Sequence, residues 1–434
     1  MNYYSTNQSA PAATLQEAVV KGLAPDRGLY MPEEIPLLPA GFFSEIVHSG
    51  VTDIARSVAR ALFGDDIPHD ELARIVTDAL NFEIPLVRVE EGLYALELFH
   101  GPTFAFKDVG ARFMARMLSY FVQQQGQEGV TVLVATSGDT GSAVANGFLG
   151  VEGIRVFVLY PSGKVSDIQE AQFTTLGRNI VAVEIDGTFD DCQALVKSAF
   201  MDEELNRQLN LTSANSINVA RFLPQSFYYF HAFAQLARLG ISREVIISVP
   251  SGNLGNLTAG LFAKRMGLPI KRFIAANNRN DVFWEYLQSG RYLPRPSVQT
   301  IANAMDVGSP SNFDRILDLY SYSHEAISSD ISGYRFSDGE IESVIKRVHK
   351  ESGYLLDPHG ACAYLALKES KRAGETGIFL ATAHPAKFKE SVERCIGEEI
   401  EIPEGLAAFM KKNRETIQLP SDFGSFRKAL INLS

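Results

Sequence analysis

A mixed α/β fold on a largely parallel sheet is the architecture that this sequence predicts, and two observations predict it. Short, apolar, β-branched runs recur at 130–135, 154–159, 180–185, 245–249, 272–276 and 377–382. Helix-like stretches such as 227–239 and 257–266 separate most of them. Strands that alternate with helices form β-α-β units, whose strands pair in parallel. The long helix-rich stretch before 245 predicts that the run at 245–249 joins a different sheet from those at 130–185. Up to about Arg88 the pattern is helical, with apolar residues at three- and four-residue spacing in 51–63 and 71–80. Pro68 and Pro85 punctuate these helices. The tail after Glu401, with Lys411, Lys412 and Arg414, reads as a solvated terminal helix.

Composition narrows the function classes. The 434 residues carry 40 Lys+Arg against 51 Asp+Glu, a net charge of −11. That balance argues against nucleic acid as the main partner and leaves only a local basic pocket for anions. Cys192, Cys362 and Cys395 are far apart and form no C-x-x-C pair, so neither a disulfide framework nor a thiolate zinc site is expected. No metal site and a reducing, cytoplasmic setting follow as expectations. The apolar runs are strand-length, well short of the roughly 20 residues that cross a bilayer, so no membrane partner is expected.

Four segments are candidates for chemistry. Ligands in open α/β sheets collect beyond the carboxyl ends of the strands, and three of the predicted strands end in small, polar turns. Ala135-Thr136-Ser137-Gly138-Asp139-Thr140-Gly141-Ser142 offers glycines and a helix N-terminus to an anion, and it reads equally as a tight turn with its own N-cap. Val249-Pro250-Ser251-Gly252-Asn253-Leu254-Gly255-Asn256 is neither a dinucleotide fingerprint nor a triphosphate loop, yet a short G-x-x-G turn can cradle one phosphate. In the third, Thr382 ends a buried run and His384 follows as either a base or a packed ring. In the fourth, Leu98-Phe99-His100-Gly101-Pro102-Thr103-Phe104-Ala105-Phe106-Lys107-Asp108, an aromatic wall leads to one lysine. Burial there would depress its pKa and make the amine nucleophilic, as a Schiff base requires, although a lysine snorkelling from a helix start has the same pattern.

Taken in order, these segments resemble the pyridoxal-phosphate enzymes of fold type II, the tryptophan-synthase β-subunit type, and within them the threonine synthase family. That family places a lysine early, a glycine-rich phosphate turn in the middle and a Ser/Thr near the end, matched here by Lys107, Gly252 to Asn256, and Thr382. Further matches are Gly22 to Tyr30, His100 to Asp108, Thr136 to Gly141 and Pro161 to Ser166 with Gln169, Gln172, Thr174 and Thr175. Asn215 to Arg221 and Asp357-Pro358-His359 complete the set.

The resemblance implies two open parallel-sheet domains with the cofactor between them, plus a helical N-terminal region. The expected boundaries are 1–95 for that region, 110–240 for the smaller domain, and 96–109 with 241–434 for the larger, cofactor-binding domain. It implies pyridoxal 5'-phosphate on Lys107, its phosphate on Gly252, Asn253, Leu254, Gly255 and Asn256, and its ring nitrogen facing Thr382. Asp139 would lie near the ring hydroxyl, where many relatives have Asn. Thr136, Ser137, Gly138 and Thr140 would hold the substrate carboxylate, and Asn215, Ser216 and Arg221 the substrate's own phosphate. The implied reaction turns O-phospho-L-homoserine and water into L-threonine and phosphate. Its rivals on the same fold are a phospholyase giving 2-oxobutyrate and a serine/threonine dehydratase, and the dehydratase has no use for Arg221.

Overall fold

Two sheets, each open and covered by helices, organise the chain, whose computed structural model describes residues 1–125, 129–241 and 244–433. The larger runs in the order Ile331–Arg335, Ile270–Asn277, Val245–Pro250, Thr376–Ala381, Leu93–Glu97, Leu86–Glu90. All neighbours pair in parallel except the last two, which form an antiparallel hairpin. The smaller is parallel throughout, in the order Ile417–Pro420, Ile180–Asp186, Ile154–Pro161, Val130–Ala135, Leu211–Ser213. The central strands Val130–Ala135 and Thr376–Ala381 are buried at every position, as strands covered on both faces must be. That is why they read as continuous apolar runs.

The six expected strands form, and 245–249 lies in a different sheet from 130–185. Val51–Phe63 is a helix whose apolar face (Ile54, Ala55, Val58, Ala59, Leu62, Phe63) is buried at the predicted spacing. The N-terminal region also contains an antiparallel sheet, Ala13–Thr14, Asn2–Ser5 and Tyr30–Pro32, which that helical pattern did not suggest. Strands of two to four residues are too short to display an alternation. The tail differs from its expected form. Instead of one solvated helix it holds a helix at Glu404–Met410, the strand Ile417–Pro420 and a helix at Phe423–Leu433 that buries Phe426 and Leu430. Arg414 is not free either, since it pairs with Asp167 and Glu170.

Two of these placements bear on the domain boundaries. Leu93–Glu97 lies in the larger sheet and Ile417–Pro420 in the smaller. We propose accordingly that the larger unit begins near 86 and that the chain returns to the smaller unit after about 415. No helix among the described residues is long and apolar enough to cross a membrane.

Candidate active site

The carboxyl ends of the two sheets face one cavity of about 260 Å³. Lys107, Thr136, Ser137, Thr140, Asn215, Ser216, Arg221, Gly252, Asn253, Leu254, Gly255, Asn256 and Thr382 all line it. Segments nearly 300 residues apart meet there because backbone contacts stitch them together. Phe106 N–H donates to Thr382 O at 2.9 Å, His384 N–H donates to Phe104 O at 3.0 Å, and Ala105 bridges Ala383. The end of Thr376–Ala381 thereby fixes the start of the helix Lys107–Gln125. His384 is spent on packing: its Nδ1 accepts the Ala386 N–H, and its ring meets Phe99 and Phe104 edge-on.

Lys107 is the first residue of its helix and is partly open to the cavity. Burial pushes its ammonium down to about 8, Lys387 and Arg221 add to the depression, and Asp139 opposes it. A pKa near 8 leaves the amine neutral in about one molecule in ten at pH 7, against fewer than about one in a thousand for an ordinary lysine. Trapping of a small aldehyde on Lys107 by borohydride should rise with pH and level off above about pH 8 to 9. A rate still climbing through pH 10 would show an unperturbed lysine.

The turn after Val245–Pro250 enters the helix Gly255–Arg265 through Leu254, a non-glycine residue at φ 59°. Close approach demands the first of its glycines and leaves little room at the second. A Cβ on Gly252 would lie 2.8 Å from Ala304 O, and one on Gly255 3.2 Å from Ser216 Cβ. Asn256 shows what the turn is built to hold. Tyr228 and Tyr229 donate to its Oδ1 at 2.6 and 2.7 Å, so the amide nitrogen is left without a partner. A buried orphan donor beside a glycine turn suits a phosphate group.

Arg221 stands across the cavity on the short helix Val219–Phe222. Its side chain is 2% exposed, Nη1 donates to Ala214 O at 2.5 Å, and Nε has no partner. It makes no ion pair among the described residues. Burial lowers its pKa to about 10, with Asp108 pulling the other way. Asn215 also lines the cavity, and its unpartnered Oδ1 is an acceptor that calls for a donor on the ligand. A buried cation with spare donors and no carboxylate is chemically a receptor for an anion.

The turn after Val130–Ala135 combines both of its expected roles. Thr136 Oγ1 accepts the N–H groups of Gly138 and Gly141 at 2.9 and 2.8 Å, so this hydroxyl shapes the turn while facing the cavity. Gly138, at φ 140°, packs on Gln169, where a Cβ would sit 2.6 Å away. Asp139 is turned from the cavity lining. Its carboxylate pairs with Lys387 at 2.6 Å and accepts from Gln169 Nε2 at 2.9 Å, all three being buried. Burial alone would raise that carboxyl, but Lys387 and Lys107 outweigh it and hold it well below the usual carboxylate range. Asp139 thus reaches Lys107 through its charge, not from a place on the cavity wall.

Several lining residues carried no signal in the sequence. Asn303, Ala304, Met305 and Asp306 form a wall anchored by His359, whose Nε2 accepts the Ala304 N–H at 3.1 Å and whose Nδ1 is held by Asp357 at 2.8 Å. Asp306 sits among Asn278, Asn280 and Thr300, with burial raising its carboxyl to about 6. Of the quoted motifs, Gln169 and Gln172 brace the site: Gln172 Nε2 donates to Thr103 O at 3.0 Å.

The fold and this site define a class, and the profile described as "Pyridoxal-phosphate dependent enzyme" matches residues 80–378. Profiles described as "Threonine synthase N terminus" and "Threonine synthase, C-terminal" match 2–80 and 359–430. The chain is 47% identical over 431 residues to a threonine synthase of Haemophilus influenzae, covering 99% of this chain and 100% of that one. Among solved structures, the threonine synthase from Escherichia coli superposes with a TM-score of 0.93 at 44% identity, with 100% of both chains covered. The threonine synthase from Brucella melitensis, solved with pyridoxal phosphate bound, also gives 0.93, at 36% identity and with 100% and 99% covered. The chain belongs to the threonine synthase family.

Proposed function

We propose that this protein converts O-phospho-L-homoserine and water into L-threonine and phosphate, with Lys107 as its reactive amine. What supports this most is one arrangement: two separate anion-receiving sets face the same cavity, with a depressed lysine on its wall. One set, Gly252 to Asn256, suits the phosphate of the cofactor. The other, Asn215, Ser216 and Arg221, suits a phosphate on the substrate. When bound, pyridoxal phosphate supplies an electron sink that spreads the electron pair left at the substrate Cα.

The residues of this chain then have distinct tasks. Lys107, the amine on the cavity wall, would hold the cofactor and, once free, would carry protons to and from the substrate carbons. Thr382, on the cavity wall, would meet the ring nitrogen with a neutral hydroxyl, which cannot keep that nitrogen protonated as a carboxylate would, so the sink would be weaker. Ser137 and Thr140, with the N–H groups of the helix Asp139–Phe148, receive the substrate carboxylate, and Thr136 and Gly138 shape that turn. Asp139, held by Lys387, lies beside Lys107 as a fixed negative charge. Arg221 orients the phosphate and stabilises it as it leaves Cγ.

Incubation with O-phospho-L-homoserine tests the assignment through the product. Equal amounts of threonine and phosphate are expected. Phosphate with 2-oxobutyrate would make it a phospholyase, and turnover of serine or threonine alone a dehydratase.

A further inference from the structure

A second fully buried arginine lies behind the turn assigned to the substrate phosphate. Arg315, on the helix Phe313–Leu319, is 0% exposed and makes no ion pair among the described residues. Its guanidinium lies 4.1 Å over the ring of Phe222, the residue after Arg221. Its donors go to Tyr30 O at 3.1 and 3.3 Å, Ile217 O at 2.5 Å, Ser216 O at 3.4 Å and Asn312 Oδ1 at 2.6 Å. Unlike Arg221, it does not line the cavity.

The chemistry of these bonds has a direction. A guanidinium only donates, so its bond to Asn312 Oδ1 decides which end of that amide is oxygen. Asn312 Nδ2 is then turned to Asn253 O at 3.0 Å and Ser216 Oγ at 3.4 Å. Asn253 Nδ2 also donates to Ser216 Oγ, at 2.9 Å. With two amides donating to it, the Ser216 oxygen is used as an acceptor and its own proton must go to another acceptor. Ser216 lines the cavity, where the acceptor would be the anion. Charge points the same way: a phosphate ester carries close to two negative charges at neutral pH, and Arg221 and Arg315 are two buried cations without a carboxylate.

We propose that Arg315 is a positioning residue for substrate phosphate, setting the hydrogen-bond polarity of Ser216 through Asn312 and supplying the second positive charge. The proposal rests on the assignment of the substrate phosphate to Asn215, Ser216 and Arg221. It also ties the N-terminal region, through the Tyr30 carbonyl, to substrate binding.

The test uses the holoenzyme with inorganic phosphate as the probe, measured by calorimetry, together with steady-state kinetics. Arg315→Met should weaken phosphate binding about tenfold or more and raise KM for O-phospho-L-homoserine in step, with a smaller effect on kcat. The visible spectrum of the bound cofactor should not move. Arg315→Lys, which keeps the charge and a donor-only group, should recover most of the loss, which a purely packing role would not allow. Asn312→Ala should weaken phosphate binding as well, and it carries the test where Arg315→Met fails to fold. Phosphate affinity within twofold of wild type in Arg315→Met or in Asn312→Ala, or no rescue by lysine, would overturn the proposal. Arg221→Ala separates the two assignments. If it too leaves phosphate affinity unchanged, the phosphate site itself is misplaced.

Discussion

Replacement of Lys107 by alanine is expected to lower turnover of O-phospho-L-homoserine by about three powers of ten or more, with the protein still folded. Two features set that size. Among the described residues Lys107 is the one lysine that lines the cavity, and in the proposed reaction it would combine covalent attachment with proton transfer, which no single neighbour could replace. Lys387 is the nearest rival, but its ammonium is locked on Asp139 at 2.6 Å and on Thr103 O at 2.9 Å and does not line the cavity. Stability should change little. The Lys107 ammonium lies 5.8 Å from the centroid of the Phe106 ring, and burial with the like charges of Lys387 and Arg221 outweighs the attraction of Asp139 for its charge. Phosphate release measured beside a thermal melt checks both statements. Turnover within tenfold of wild type would remove Lys107 from the chemistry.

Arg221→Ala carries the second large effect. A hydrogen bond to a charged group is worth about 1.5–3 kcal/mol, so one lost contact should reduce kcat/KM by about one to two powers of ten, and a forked contact by more. Most of the loss should appear with the phosphorylated substrate, while the bound cofactor's spectrum stays as in wild type. The alternative role for such an arginine is a structural ion pair, and Arg221 has no carboxylate within bonding range among the described residues. Removing it should therefore not unfold the protein. What it takes away is one donor to Ala214 O and a charge that burial already disfavours. A variant that melts early yet keeps normal efficiency would contradict this assignment.

The parts of the fold that were legible in the sequence are those whose burial is complete. Val130–Ala135 and Thr376–Ala381 are apolar at nearly every position because helices cover both faces, so they stand out from their surroundings. Edge elements were harder to see. Ile417–Pro420 alternates half-buried and exposed residues over four positions, too few to separate from a solvated tail, and Leu211–Ser213 has only three residues. Leu86–Glu90 and Leu93–Glu97 turn through Gly92 at φ 69°, and their apolar residues did not break the helical texture before them.

At the site, the legible residues were those clustered in short motifs at strand ends: Thr136 to Thr140, Asn215 to Arg221, Gly252 to Asn256. Residues that act from single positions outside such motifs were not. Arg315 and Asn312 lie on and beside a seven-residue helix with no motif around them, and their importance comes from contacts with Tyr30 and Ser216, about 285 and 100 positions away in the chain. Asp139 shows the opposite failure. Its motif was visible, but its partner Lys387 lies 248 residues further on, and only the fold shows that the carboxylate is already engaged.

One measurement bears most directly on the central assignment, that Lys107 is the amine carrying the cofactor in this cavity. The holoenzyme is reduced with borohydride, digested, and mapped by mass spectrometry. A single pyridoxyl group is expected, on the peptide that contains Lys107. Its appearance on the peptide containing Lys387, or on any other lysine, would contradict the assignment.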